Sequence, residues 1–351
     1  MKTLFITHNN WNTIKQRSHF LSEKMHSKKN RVTVAYKWSP KKFNYSKNNT
    51  KLNLIPCIFF PFSLLSIKFI RIIDELIWRF YLASMIKEQK FDNIIITHAL
   101  FYRYLKNVNN SKIIYDCHDD LELFYKKSKL KELINKENLN LLKNSELNIF
   151  SSKNLLKKYG KYGKKSILIR NGHNLKKKIV LKKKKKISNK FNIFYFGTVS
   201  SWFDFKIIQI ILKNFKNIFL TIIGPVDVPI LHHENINYIK PMQHKKLINF
   251  SVKADAFIMP FKLSQLIKSV DPVKLYEYLV FNKPVISIFY PELRYFQKFI
   301  YFYKNDKDII SIIKKVIKKN NLKNNNFLNK FLKKNCWDER AKKLNEELRK
   351  I

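Results

Sequence analysis

The chain alternates short apolar runs that end in polar turns with amphipathic stretches at helical spacing, and it does so twice. Apolar runs of this length suit strands buried on both faces, and the intervening stretches suit helices that cover them, so the pattern predicts parallel α/β sheets. In the first half strands are expected over 2–7, 31–35, 93–97, 112–115, 147–150 and 166–169, with helices notably over 16–27 and 66–88. In the second half strands are expected over 192–196, 218–223, 236–239, 256–260 and 284–288, with helices over 204–214, 244–253 and 273–281. Closing helices are expected over 306–319, 325–334 and 337–349.

A chain of 351 residues is long for one α/β core and suits two. The boundary falls where apolar periodicity stops, at 174–190, which carries Lys176 to Lys178 and Lys182 to Lys186 and reads as a solvated linker. The expected organisation is a first domain over 1–173, that linker, a second domain over 191–335, and a terminal helix over 336–351.

Composition excludes more than it selects. The net charge of +45 invites a polyanion partner, but lysine is spread over helices, linker and tail alike, where a nucleic-acid reader concentrates arginine and aromatics on one element. Nucleic acid is therefore not the expected partner, and much of the charge reads as compositional bias. Cys57, Cys117 and Cys336 stand far apart without a CxxC pair, which indicates neither a zinc site nor a disulfide framework and fits a reducing cytoplasm. The opening residues have the look of a strand, not of a signal peptide. The most apolar stretch, 55–73, is broken by Pro56, Pro61, Lys68 and Arg71, short of the uninterrupted apolar run of about 20 residues that spans a bilayer. The stretch 66–88 reads first as a helix covering the core. Its mixture of Ile, Phe, Leu and Trp with Lys68, Arg71 and Arg79 also suits peripheral contact with an anionic membrane, at the inner face of the plasma membrane.

Two doubly wound sheets facing each other would line a shared cleft with the carboxyl ends of their strands, where ligands bind in such folds. Residues just after strands are the candidates: Asp116, His118, Asp119 and Asp120 in the first half, and Gly197, Thr198, Gly224 and Pro225 in the second. His118 has a plain reading, a strand-end residue satisfied by backbone. Its functional reading is an imidazole among carboxylates that orients or deprotonates a hydroxyl, alone or with Asp119. Glu277 heads a helix after Pro272 and Lys274, where backbone N–H groups and the helix dipole favour an anion and a carboxylate can accept from a pair of hydroxyls.

The stretch Asp271-Pro-Val-Lys-Leu-Tyr-Glu-Tyr-Leu-Val-Phe-Asn-Lys-Pro-Val-Ile-Ser287 resembles the donor-binding signature of GT-B glycosyltransferases of the group-one, or family-four, kind. Further matches follow in the same order along the chain. They are Trp11 with Gln16-Arg-Ser-His19, Tyr115-Asp-Cys-His-Asp-Asp120, 148–152 with Arg170-Asn-Gly172, 194–204, and Cys336-Trp-Asp-Glu-Arg-Ala341, which resembles a terminal helix crossing back to the first domain. The resemblance implies a GT-B fold, with two Rossmann-like domains across a cleft, and a nucleotide-sugar donor whose ribose Glu277 would hold. It also implies retention of anomeric configuration and an acceptor in bacterial surface polysaccharide synthesis, either a glycan or a lipid-linked saccharide. Arg17, by its place in the first-helix motif, and Arg170 are phosphate candidates.

The sequence departs from that pattern at two places. Ser269 stands where the family has a first Glu, and 198–204 lacks the usual basic pair; Lys274, Arg170 or Lys206 could substitute near a diphosphate, and spacing alone does not choose among them. No carboxylate cluster with metal-ligand spacing stands in the second half, and neither metal nor other cofactor is expected. Two other functions fit the same scaffold: a non-catalytic basic protein that binds nucleic acid or membrane, and a sugar epimerase or phosphorylase.

Overall fold

The apolar runs become two wholly parallel sheets. The computed structural model describes residues 1–39, 50–106, 108, 110–125, 128–174, 190–318 and 326–351. These fall into two compact units, one made of Met1–Arg170 with Trp337–Ile351, the other of Asn171–Cys336.

In the first unit β1 (Lys2–Thr7), α1 (Arg17–Met25), β2 (Arg31–Lys37), β3 (Asn53–Cys57), α2 (Lys68–Gln89), β4 (Asn93–Ile96), β5 (Lys112–Cys117), α3 (Leu121–Phe124), α4 (Lys129–Asn144), β6 (Leu147–Phe150), α5 (Lys153–Tyr159) and β7 (Ser166–Leu168) follow in order. The seven strands lie in the order β3-β2-β1-β4-β5-β6-β7. Every neighbouring pair is parallel. β1, β4 and β6 are buried almost throughout, which is why they read as unbroken Ile, Leu and Phe runs.

The second unit runs β8 (Phe191–Phe196), α6 (Phe205–Asn214), β9 (Ile218–Ile223), β10 (Ile236–Ile239), α7 (His244–Ser251), β11 (Ala256–Met259), α8 (Gln265–Lys268), α9 (Val273–Val280), β12 (Val285–Ile288), β13 (Tyr301–Tyr303), α10 (Asp306–Lys318) and α11 (Asn326–Lys334). Its six strands are ordered β10-β9-β8-β11-β12-β13 and are again all parallel. In each sheet the strand order reverses once, between β1 and β4 and between β8 and β11. At such a switch point the flanking loops diverge to opposite faces and leave a crevice at the carboxyl ends.

The last helix, α12 (Trp337–Lys350), belongs to the first unit. Trp337 stacks on Phe20 of α1 with ring centroids 5.3 Å apart, Lys24 pairs with Asp338 at 2.9 Å, and Asn30 donates to Asn345 at 3.0 Å.

Two strands and several helices differ from the sequence expectation. β3 was unexpected because Pro56 interrupts it; as the edge strand next to β2 it tolerates a residue without an N–H. β13 is a three-residue edge strand, too short to show a period. β5 runs two residues further than expected and takes Asp116 and Cys117 into the sheet. The second unit begins at Asn171, where Asn171 bonds to Asp271 and His173 donates its N–H to the Asn335 carbonyl at 3.1 Å. The expected lysine-rich linker, but for its two ends, lies outside the described residues.

Candidate functional site

At the switch point of the second sheet, β8 is followed by Gly197 and β9 by Gly224, and both take a positive φ, +132° and +146°, that only glycine adopts without strain. A Cβ on Gly224 would fall well inside 3.0 Å of the Gly197 carbonyl. The two strand ends stay tied beyond the sheet, with Gly197 donating to Ile223 at 2.9 Å and Val199 to Pro225 at 2.8 Å. Thr198 and Pro225 thus sit on paired backbone, and the Thr198 carbonyl accepts the Tyr195 hydroxyl at 2.6 Å.

Onto this glycine floor lies Lys274, from the first turn of α9. A Cβ on Gly197 would collide with its Cε and Nζ. Its ammonium donates to the Tyr195 hydroxyl at 2.7 Å and sits 4.7 Å and 5.0 Å from the ring centroids of Tyr195 and Phe261. No carboxylate among the described residues forms a salt bridge with it. Burial pushes its pKa down from 10.5 to about 7, against the pull of Glu277. A lysine held among aromatic rings over bare backbone, beside the free N–H groups of a helix start, has the chemistry to receive an anion.

Glu277 lies one turn further along α9 and is buried, 6% exposed. Its Oε1 is 2.7 Å from Nε2 of His244, the first residue of α7 just beyond β10. Sequence reasoning missed His244; its place at the start of a helix shortly after a strand of the second half was the available signal. Pro272, at the N-cap of α9, has no N–H to satisfy. Before it, the Asp271 carboxylate accepts the Asn171 N–H at 2.7 Å and the Tyr276 hydroxyl at 3.0 Å, which fixes the loop entering α9. Ser269, in place of the family's first Glu, is buried and turns its hydroxyl to the Leu266 carbonyl at 2.7 Å. Lys206, offered by the sequence as a phosphate partner, is exposed and pairs with Asp306 at 2.8 Å.

The first unit has its own assembly of groups at the switch point of its sheet. His8 follows β1, His98 follows β4, and His118 follows β5. The His8 ring stacks on His118 with centroids 5.9 Å apart and meets His98 edge-on at 5.2 Å. Burial, then the neighbouring imidazoles, pushes His8 well below its usual range and His98 down to about 3, so both are neutral at ordinary pH. His118 Nδ1 is 3.1 Å from the Asp116 carbonyl, which can only accept, so Nδ1 carries a proton. Its Nε2 stands 3.4 Å from Asp119 Oδ2, on a carboxylate about one-third exposed at 32%. Asp120 is turned away, accepting Lys158 at 2.9 Å and Tyr159 at 2.8 Å. The sequence singled out His118 and Asp119 but neither His8 nor His98, which only the strand order brings beside them.

Arg17 and Arg170, the phosphate candidates, are both buried. Arg17 lies against Asp116, its Nε donating at 2.9 Å and 3.0 Å to the two carboxylate oxygens and its Nη2 2.9 Å from Oδ1. Its charge is balanced within the core. Arg170 closes the first unit after β7. Among the described residues no group of three or more His, Cys, Asp or Glu side chains is placed to hold a metal ion.

Paired parallel sheets of this strand order define the GT-B fold, and solved structures share it over the whole chain. Sucrose-phosphate synthase from Thermosynechococcus elongatus superposes with a TM-score of 0.70 at 12% identity, covering 100% of this chain and 99% of that one. The lipopolysaccharide outer core galactosyltransferase WaaB gives 0.65 at 12% identity with 98% of each chain covered, and Anabaena Alr3699/HepE in complex with UDP-glucose gives 0.66 at 12% with 100% of each. No protein-family model and no curated protein matches by sequence.

Proposed function

We propose that the chain is a glycosyltransferase that moves a sugar from a nucleotide-sugar donor to the hydroxyl of a glycan or lipid-linked acceptor. The observation that carries this reading is Lys274, a cation without a carboxylate partner laid over the Gly197–Gly224 floor at the head of α9. A donor diphosphate supplies the missing negative charge, and the same lysine with the α9 amides stabilises it as a leaving group. Glu277, oriented by His244, retains acceptor capacity for the ribose diol. In the first unit Nε2 of His118, beside Asp119, orients or deprotonates the acceptor hydroxyl, with His8 and His98 as neutral walls.

Structures of similar fold bind such donors, among them Anabaena Alr3699/HepE with UDP-glucose and an E. coli trehalose-6-phosphate structure with UDP-2-fluoro glucose. Assignment of the acceptor to a bacterial surface polysaccharide, and of the outcome to retention, rests on the motif resemblance. The test is a panel of nucleotide sugars followed by thermal shift and calorimetry, then transfer assays with NMR of the product anomer. Wild type should be stabilised by at least one donor, and Lys274→Met and Glu277→Ala should lose that binding while remaining folded. A chain that ignores every donor and binds oligonucleotides instead is a basic binding protein, and the proposal fails.

A further inference from the structure

α2 presents an apolar stripe to solvent along most of its length. Phe69, Ile72, Leu76 and Phe80 recur at spacings of three, four and four, so they share one face, and they are 72%, 46%, 60% and 81% exposed. The opposite face is fixed into the first unit: Leu82, Met85 and Ile86 are buried in its core, and buried Asp74 accepts from Tyr104 and from Arg103 at 3.3 Å. That inner anchorage holds the stripe outward. The segment leading into the helix adds Ile58, 72% exposed, and Leu64, 38% exposed. An apolar face of this extent is unusual on a soluble surface and marks a binding surface.

The charges identify its occupant. Lys68 and Arg79 are eleven residues apart, about three helical turns, and therefore lie on one flank of the stripe. Of the acids on α2, Asp74 is held in the core, Glu75 lies 3.5 Å from Lys106, and Glu88 stands near the far end of the helix, accepting from Ser84 at 3.2 Å. A row of large apolar side chains with a cationic border complements the acyl and headgroup layers of an anionic bilayer. Among the described residues no helix is long and apolar enough to cross a membrane. We infer that α2 docks the protein on an anionic lipid surface, through apolar insertion together with charge. This goes beyond the donor reading and does not depend on it.

The experiment is co-sedimentation of the full chain with vesicles of phosphatidylcholine alone and of phosphatidylcholine with phosphatidylglycerol, at about 0.1 M and 0.5 M salt, where headgroup attraction is progressively screened. Wild type should bind the anionic vesicles and keep part of that binding at the higher salt. The triple variant Phe69→Ser, Leu76→Ser, Phe80→Ser should bind at least about ten-fold more weakly with an unchanged melting temperature, since these side chains are largely exposed. Equal binding of variant and wild type means adhesion by net charge alone and overturns the inference. So does failure of wild type to bind, or a dimer that the triple variant splits, which would make the occupant a second copy. Donor calorimetry on the same samples separates this outcome from that of the donor site.

Discussion

Lys274 rests on Gly197, filling the space a side chain there would need, and Gly224 in turn rests on the Gly197 carbonyl. The two glycines therefore carry different predictions. Gly224→Ala places a methyl against backbone at a positive φ and should cost on the order of 3 kcal/mol or more of stability by chemical denaturation. Gly197→Ala keeps the φ strain but meets a flexible side chain; the lysine should be displaced, with a smaller stability loss and loss of nucleotide-sugar binding by calorimetry.

Titration of Lys274 sets a pH dependence. Its folded pKa of about 7 lies below the ordinary 10.5, so between those values the unfolded chain holds the proton and the folded chain does not. Stability of the ligand-free protein should rise with pH through that window, and the rise should be absent in Lys274→Met. Donor binding favours the ammonium, so at pH 8 it should take up close to one proton, read by calorimetry in buffers of different ionisation enthalpy.

His244→Ala leaves Glu277 without its partner at 2.7 Å and should weaken donor binding by about ten-fold, the equivalent of one hydrogen bond to a charged group. Glu277→Ala should weaken it more. Equal affinity in wild type and His244→Ala would show that the pair plays no part in holding the donor.

His118→Asn should leave donor affinity intact while lowering kcat by about 10²- to 10⁴-fold, the range of a lost general base. His98, pushed down to about 3, and His8, pushed well below its usual range, stay neutral at ordinary pH, so neither should contribute an acid limb to the rate profile above about pH 5.

Arg17→Ala strips the buried Asp116 of its counter-charge and should destabilise the protein by about 3–5 kcal/mol. The pair Arg17→Met with Asp116→Leu should recover most of that stability. Loss of turnover in a double variant that folds would give Arg17 a ligand-binding role beside its structural one.

Much of the fold is written in the local sequence. Runs such as 218–223 and 147–150 are apolar throughout because both faces of their strands are covered, and each appears where expected. β3 was not legible because Pro56 is tolerated only through its edge position, a property of strand order and not of the run itself. The site divides in the same way. Gly197, Gly224 and Lys274 could be read because strand ends and a helix start are local features. His244 against Glu277, the three imidazoles, and Arg17 against Asp116 join distant segments, and only the topology decides that they meet.

One detail of connectivity bears on how such a chain can be re-engineered. The second unit is an uninterrupted insert in the first, and its two ends are stitched together, with His173 bridged to Cys336 and bonded to the Asn335 carbonyl. Residues 171–336 enter and leave through neighbouring backbone, so a foreign module with equally close ends can replace them in a single cassette. On the proposed reading, the part of the chain that holds the donor could then be exchanged while residues 1–170 and 337–351 are left untouched.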